Sequence, residues 1–127
     1  MSLILIDTDV IIDFLRKKTK AKNYFEQCIA QKDKLGYSVI TKAELYAGLR
    51  NGEEDAVVSL LNSMDEFPVD GEIAVQAGLY RNAFMKSHEL LLPDALIAAT
   101  AKCVGAKLVT CNIKDFPMKD IAVEAPY

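Results

Sequence analysis

Leu3-Ile4-Leu5-Ile6-Asp7-Thr8-Asp9-Val10-Ile11-Ile12-Asp13 is the stretch on which the reading of this chain turns. Leu3 to Ile6 form an unbroken apolar run, the pattern of a central parallel strand buried on both faces, and Asp7 closes it. A carboxylate ending such a strand is costly unless it is paired or bound to an ion. Beyond it, Val10 to Lys17 read as a helix, with Asp9 placed to cap it.

The alternation continues along the chain. Ala21, Tyr24, Phe25, Cys28 and Ile29 fall on one face of a helix. Gly36 to Ile40 read as a second strand, and Thr41 opens a helix that ends near Gly48 or Asn51-Gly52. Val57, Leu61 and Met64 mark another helix, followed by a short Phe67-Pro68-Val69 strand. Ile73, Ala77, Tyr80 and Phe84 repeat at helical spacing. Pro93 sits in the first turn of an alanine-rich helix over Asp94 to Val104, which Gly105 stops. Lys107 to Thr110 are the next strand, and Ile121 to Val123 an edge strand. With no linker or repeat, residues 1–127 are expected to form one α/β domain. Its central, mostly parallel sheet should have about four or five strands, with helices on both faces.

Composition narrows the classes. The chain has 127 residues, 51% of them hydrophobic and 26% charged, ordinary for a globular protein. No apolar run approaches the roughly 20 residues a membrane span requires. Met1-Ser2-Leu3-Ile4 runs straight into a strand without a basic segment, so no signal peptide is expected. Cys28, Cys103 and Cys111 have no CxxC spacing and read as reduced, mostly core thiols of a cytoplasmic protein. His88, the single histidine, stands in a Lys86-Ser87-His88-Glu89 context typical of a solvated helix end. Histidine-rich zinc sites and triad chemistry are therefore disfavoured, and any chemistry rests on carboxylates.

Four acids hold equivalent places. Asp7 ends the first strand, Glu44 falls in the first turn after the second, Asp94 in the first turn of the alanine-rich helix, and Asp115 in the loop after Leu108-Val109. Strand C-termini and the helix N-termini that follow share one edge of a parallel sheet, where such folds bind ligands. Converging carboxylates call for a cation, and Mg²⁺ or Mn²⁺ suits an all-oxygen set. Two of these acids also have a structural reading. Thr41-x-x-Glu44 has the spacing of a capping box, and Asp94 suits a helix dipole.

The same residues carry a resemblance. Leu5 to Asp13, Thr41-x-Ala43-Glu44-Leu45-x-x-Gly48, Pro93 to Ala101, and Leu108-Val109-Thr110-Cys111-Asn112-x-x-Asp115-Phe116 are similar, in order, to the motifs of PIN-domain nucleases, and of these most to the VapC-type toxin ribonucleases. The resemblance implies a PIN-like fold and a metal-dependent endoribonuclease acting on RNA. It also implies a homodimer held inactive by a small antitoxin protein. Asp7, Glu44 and Asp94 match that family's metal-binding acids. Many members have an aspartate where this chain has Asn112, so either Asn112 or Asp115 is the fourth site residue, Asp115 being the carboxylate. Asp9, Thr110 and Asn112 would then support the ligands from behind.

For an RNA substrate the formal charge of −3 is adverse; setting the four acids aside leaves 14 acids against 15 lysines and arginines. Arg16, Lys17, Lys18, Lys20 and Lys22 form a basic run beyond the first helix, either an RNA-backbone contact or a solvated loop. Three rivals remain. Asp7-x-Asp9-Val10 also resembles the nucleophile motif of HAD-type phosphatases, but no Gly-Asp dipeptide occurs. A phospho-accepting receiver domain would need an aspartate ending a third strand near residues 50–57, where Glu53-Glu54-Asp55 introduces a helix. The third is an inactive PIN fold that only binds.

Overall fold

The computed structural model describes residues 2–127; Met1, quoted above for the amino terminus, lies outside them. Five strands form one sheet: β1 (Leu3–Ile6), β2 (Lys34–Ser38), β3 (Asp65–Phe67), β4 (Lys107–Val109) and β5 (Val123–Glu124). Their order is β3-β2-β1-β4-β5, and every pairing is parallel. The helices are α1 (Thr8–Leu15), α2 (Thr19–Ala30), α3 (Val39–Ala47), α4 (Glu54–Asn62), α5 (Gly71–His88) and α6 (Leu92–Val104), with a 3₁₀ turn at Ile113–Asp115.

Strand periodicity divides the core. Ile4, Ile6 and Val109 pack with Val10 and Ile11 of α1, Phe25 and Cys28 of α2, Leu45 of α3, and Val57 and Leu61 of α4. Leu5 and Leu108 point the other way, onto Ile73, Ala77 and Tyr80 of α5 and the alanines of α6. The run Ala98-Ala99-Thr100-Ala101 is fully buried, so small side chains let α6 lie close to the sheet. Gly105, at φ 72°, ends α6 in the left-handed conformation that glycine adopts without strain.

Several boundaries differ from the sequence reading. The first helix starts at Thr8 rather than Val10, and its cap is Asp7, whose side chain accepts from the Thr8 N–H; Asp9 lies inside the first turn. The second strand ends at Ser38, not Ile40, and the Ser38 hydroxyl caps α3 by accepting from the Ile40 N–H. Cap formation outweighs the strand preference of Val39 and Ile40. Thr41-x-x-Glu44 is consequently no capping box, and Glu44 stands one turn deeper in its helix than expected. The third and fifth strands are displaced to Asp65–Phe67 and Val123–Glu124. Ile29 is 70% exposed despite its place on the apolar face of α2. Cys111 is exposed, whereas Cys28 is buried and Cys103 partly so.

β1 lies between β2 and β4, so the chain leaves the sheet centre in one direction and returns on the other side. The C-terminal ends of β1 and β4 flank that switch point, the usual ligand crevice of an open parallel sheet. A doubly wound receiver would instead place β1 between its second and third strands.

Candidate active site

Asp7 leaves the end of β1 at 7% exposure. Its Oδ1 accepts the Thr8 N–H at 2.8 Å, and its Oδ2 accepts the hydroxyl of Thr110, the residue just past β4, at the same distance. The Asp7 N–H donates to the Val109 carbonyl, which fixes the backbone there. Burial pushes the Asp7 carboxyl up to about 7, helped by the negative charges of Asp9 and Asp94 and opposed by the two hydrogen bonds.

Asp9 lies two residues further on, in the first turn of α1. Its Oδ2 accepts from the Asn112 side-chain amide at 2.8 Å and the Cys111 N–H at 3.1 Å, with the Thr110 hydroxyl at 3.3 Å. Its Oδ1 is buried without a partner. Burial raises its carboxyl as well, against the donors of the 110–112 loop. Thr110 has one hydroxyl proton, and the shorter contact gives it to Asp7.

Asp94, half-buried in the first turn of α6, is pushed up to about 6 by burial, then by the charges of Asp115, Glu44 and Asp9. Glu44 is half-buried and accepts the Thr8 hydroxyl at 2.7 Å. Asp115 is exposed at the end of the 3₁₀ turn. Asp7, Asp9, Glu44 and Asp115 thus each come within electrostatic range of Asp94. As they stand, no three His, Cys, Asp or Glu side chains among the described residues close into an ion cage. The donor chemistry nevertheless fits a hard divalent cation: it is all oxygen, two carboxyls are raised by burial and then by neighbouring negative charge, and one buried carboxylate oxygen lacks a partner.

The basic run begins at the far end of α1, where Arg16 lines a small cleft with Glu44. Arg16 caps the far end of α1 and pairs with Glu53, and Lys18 pairs with Asp13 at 3.0 Å. Lys17, Lys20 and Lys22 are exposed. His88, the last residue of α5, is exposed. Sequence reasoning missed Thr8: its hydroxyl partners lie 33 and 36 positions away, on α3, which local pattern does not reveal.

A five-stranded parallel sheet with acids gathered at its switch point defines a class of α/β proteins built to hold a cation or a phosphate group there. Comparison with known proteins narrows that class. The PIN domain family model matches residues 4–122, and the chain belongs to that family. It is 39% identical over 118 residues to ribonuclease VapC10 of Mycobacterium tuberculosis, covering 91% of this chain and 87% of that protein. Ribonuclease VapC19 of the same organism is 33% identical over 115 residues, covering 90% and 92%. The fold is also similar to a chain of a toxin-antitoxin complex from Klebsiella pneumoniae, at 29% identity and a TM-score of 0.81, covering 98% of each chain.

Proposed function

We propose that this protein is a metal-dependent endoribonuclease, the toxin of a toxin–antitoxin pair, with residues 1–127 forming its nuclease domain. The observation that carries the reading is the buried Asp7 beside Asp94 and Asp9, with carboxyls raised by burial and by one another at the sheet's switch point. The ribonuclease relatives and the toxin–antitoxin complex support the substrate and the setting. Asp7 and Asp94 would be the main ligands of Mg²⁺ or Mn²⁺, with Glu44 and Asp115 completing the set and Asp9 available through its unpartnered Oδ1.

A divalent cation bound there activates water and offsets charge on the scissile phosphate. The chain's own contribution is orientation. The Thr8 N–H and the Thr110 hydroxyl hold both oxygens of Asp7, and Asn112 and the Cys111 N–H hold Asp9. In the net reaction the water oxygen would bond to phosphorus as the P–O bond opposite breaks, and one water proton would end on the departing oxygen, leaving a phosphate monoester and a hydroxyl.

A small antitoxin is the proposed partner. An apolar trough between α1, α2 and α4, walled by Phe14, Phe25, Ile29, Leu60 and Met64 and edged by Lys22, Glu26 and Asp33, suits an amphipathic segment. Reduced cysteines favour the cytoplasm, and no helix among the described residues is long and apolar enough to cross a membrane. To test the activity, the purified chain, freed of any partner, is incubated with structured and unstructured RNAs in Mg²⁺, Mn²⁺ or EDTA, and fragment ends are mapped. Cleavage with either cation and none in EDTA is expected. Intact RNA under every metal, with a beryllofluoride adduct at Asp7, would transfer the chain to acyl-phosphate chemistry.

A further inference from the structure

Thr8 joins two of the site's acids from a single residue. Its N–H donates to Asp7 Oδ1 at 2.8 Å, while its hydroxyl lies 2.7 Å from Glu44 Oε1 and 3.0 Å from Thr41 Oγ1. A hydroxyl has one proton and two lone pairs, and an ionised carboxylate only accepts. The Thr8 proton therefore goes to Glu44, and the Thr41 hydroxyl donates to the Thr8 oxygen. Thr41 is fully buried and Thr8 is 8% exposed. Neither hydroxyl is used at a helix end, because Asp7 caps α1 and Ser38 caps α3. Among the described residues, Thr8 is the one side chain that donates to Glu44, and Thr8 is the one partner of the Thr41 hydroxyl.

We propose that Thr41, Thr8 and Glu44 form a directed hydroxyl relay that fixes the Glu44 carboxylate relative to Asp7, making Thr8 a positioning residue for the acid set. Glu44 has three side-chain torsions and feels the negative charge of Asp94 across the site. Left alone, it would sample several rotamers and swing toward water. The relay removes that freedom, and consecutive hydroxyls polarise one another so that the last bond is strengthened. Thr8 then sets the spacing of two acids that lie 37 positions apart in sequence, holding one through its backbone and the other through its side chain. This proposal rests on reading Glu44 as a metal-binding acid.

The test uses the full chain and the variants Thr8→Val, Thr8→Ser, Thr41→Val and Glu44→Gln. Mn²⁺ affinity is measured by titration, and Glu44 rotamer populations are measured by NMR couplings in the metal-free protein. Thermal melting confirms that each variant is folded. Thr8→Val is expected to weaken Mn²⁺ binding by about 10–100-fold, the usual loss when a group supporting a ligand is removed, and to disperse the Glu44 rotamers. Thr8→Ser keeps the hydroxyl and restores both. Thr41→Val gives a smaller loss in the same direction, since Thr8 retains its proton. Equal Glu44 rotamers in wild type and Thr8→Val would overturn the relay whatever the metal does, as would a folded Thr8→Ser that behaves like Thr8→Val. Wild-type Mn²⁺ affinity in Glu44→Gln would instead sink the ligand role of Glu44, leaving the rotamer comparison to decide the relay.

Discussion

At Asp7, burial and neighbouring charge lift the carboxyl from 3.8 to about 7. Between those values the folded chain keeps a proton that the unfolded chain has released, so stability falls as pH rises. The contribution is fully present below about pH 4 and lost as pH climbs through about 7. Asp94, raised to about 6, acts with the same sign. Carboxyls held low by ion pairs, such as Asp120 beside Lys102, act oppositely at lower pH. The informative quantity is therefore the melting temperature of wild type minus that of Asp7→Asn, both in EDTA, which should decline across that interval; a constant difference would contradict the raised carboxyl. A second expectation concerns chemistry. Asp7→Asn and Asp94→Asn should each abolish Mg²⁺- or Mn²⁺-dependent RNA cleavage while leaving melting in EDTA unchanged or higher, because each removes repulsion. In Asp94→Asn the rise in melting temperature on adding Mn²⁺ should vanish too; retained cleavage in either variant would refute the carboxylate model. Asp7 and Asp94 stood out in sequence because each follows or opens an apolar element. Local pattern read Asp9 only as a helix cap, because its donors come from residues 110–112 on another strand end; the family resemblance alone grouped it with Thr110 and Asn112.

Among the elements, β2 and β3 meet at their closest around Gly36. A Cβ built there would stand 2.4 Å from the Phe67 ring and 3.1 Å from the Asp65 carbonyl oxygen. Gly36→Ala should cost roughly 1–3 kcal/mol through overpacking, read as a lower urea midpoint at unchanged slope; a neutral result would mean that Phe67 turns aside freely. Helix and strand order was legible because the periods of apolar residues differ between the two. The β2–α3 boundary was not, because Val39 and Ile40 favour strand while the hydroxyl of Ser38 starts a helix. Residue chemistry at one cap displaced Glu44 by a turn, yet the helix still carries it to the site. Ile29 misled for a different reason: periodicity identifies a face, not how far the neighbouring layer extends to cover it.

On the scale of the molecule, apolar side chains are left uncovered in one region. Val75 and Leu79 on α5 are 64% and 57% exposed, and Leu91 and Leu92 at the start of α6 are 58% and 49% exposed. By contrast, Phe14 and Tyr24 are partly buried against the core, and Tyr46 is 38% exposed. A homodimer is expected to cover part of the exposed apolar surface. Sedimentation velocity at micromolar concentration should show particles of twice 14.0 kDa, and Leu79→Glu should reduce them to monomers. A 14.0 kDa species at every concentration would count against the dimer.

The strand order has a consequence for how the molecule comes into being. β1 opens the chain, but its second neighbour, β4, begins at Lys107, and the Thr110 hydroxyl that holds Asp7 follows it. A nascent chain that has emerged only as far as α6 carries Asp7, Glu44 and Asp94 without Thr110, Asn112 or Asp115. One side of its central strand is still unpaired. Until β4 and the loop after it emerge, the nascent protein therefore holds Asp7 and Asp9 without the donors of residues 110–112 that fix their carboxylates.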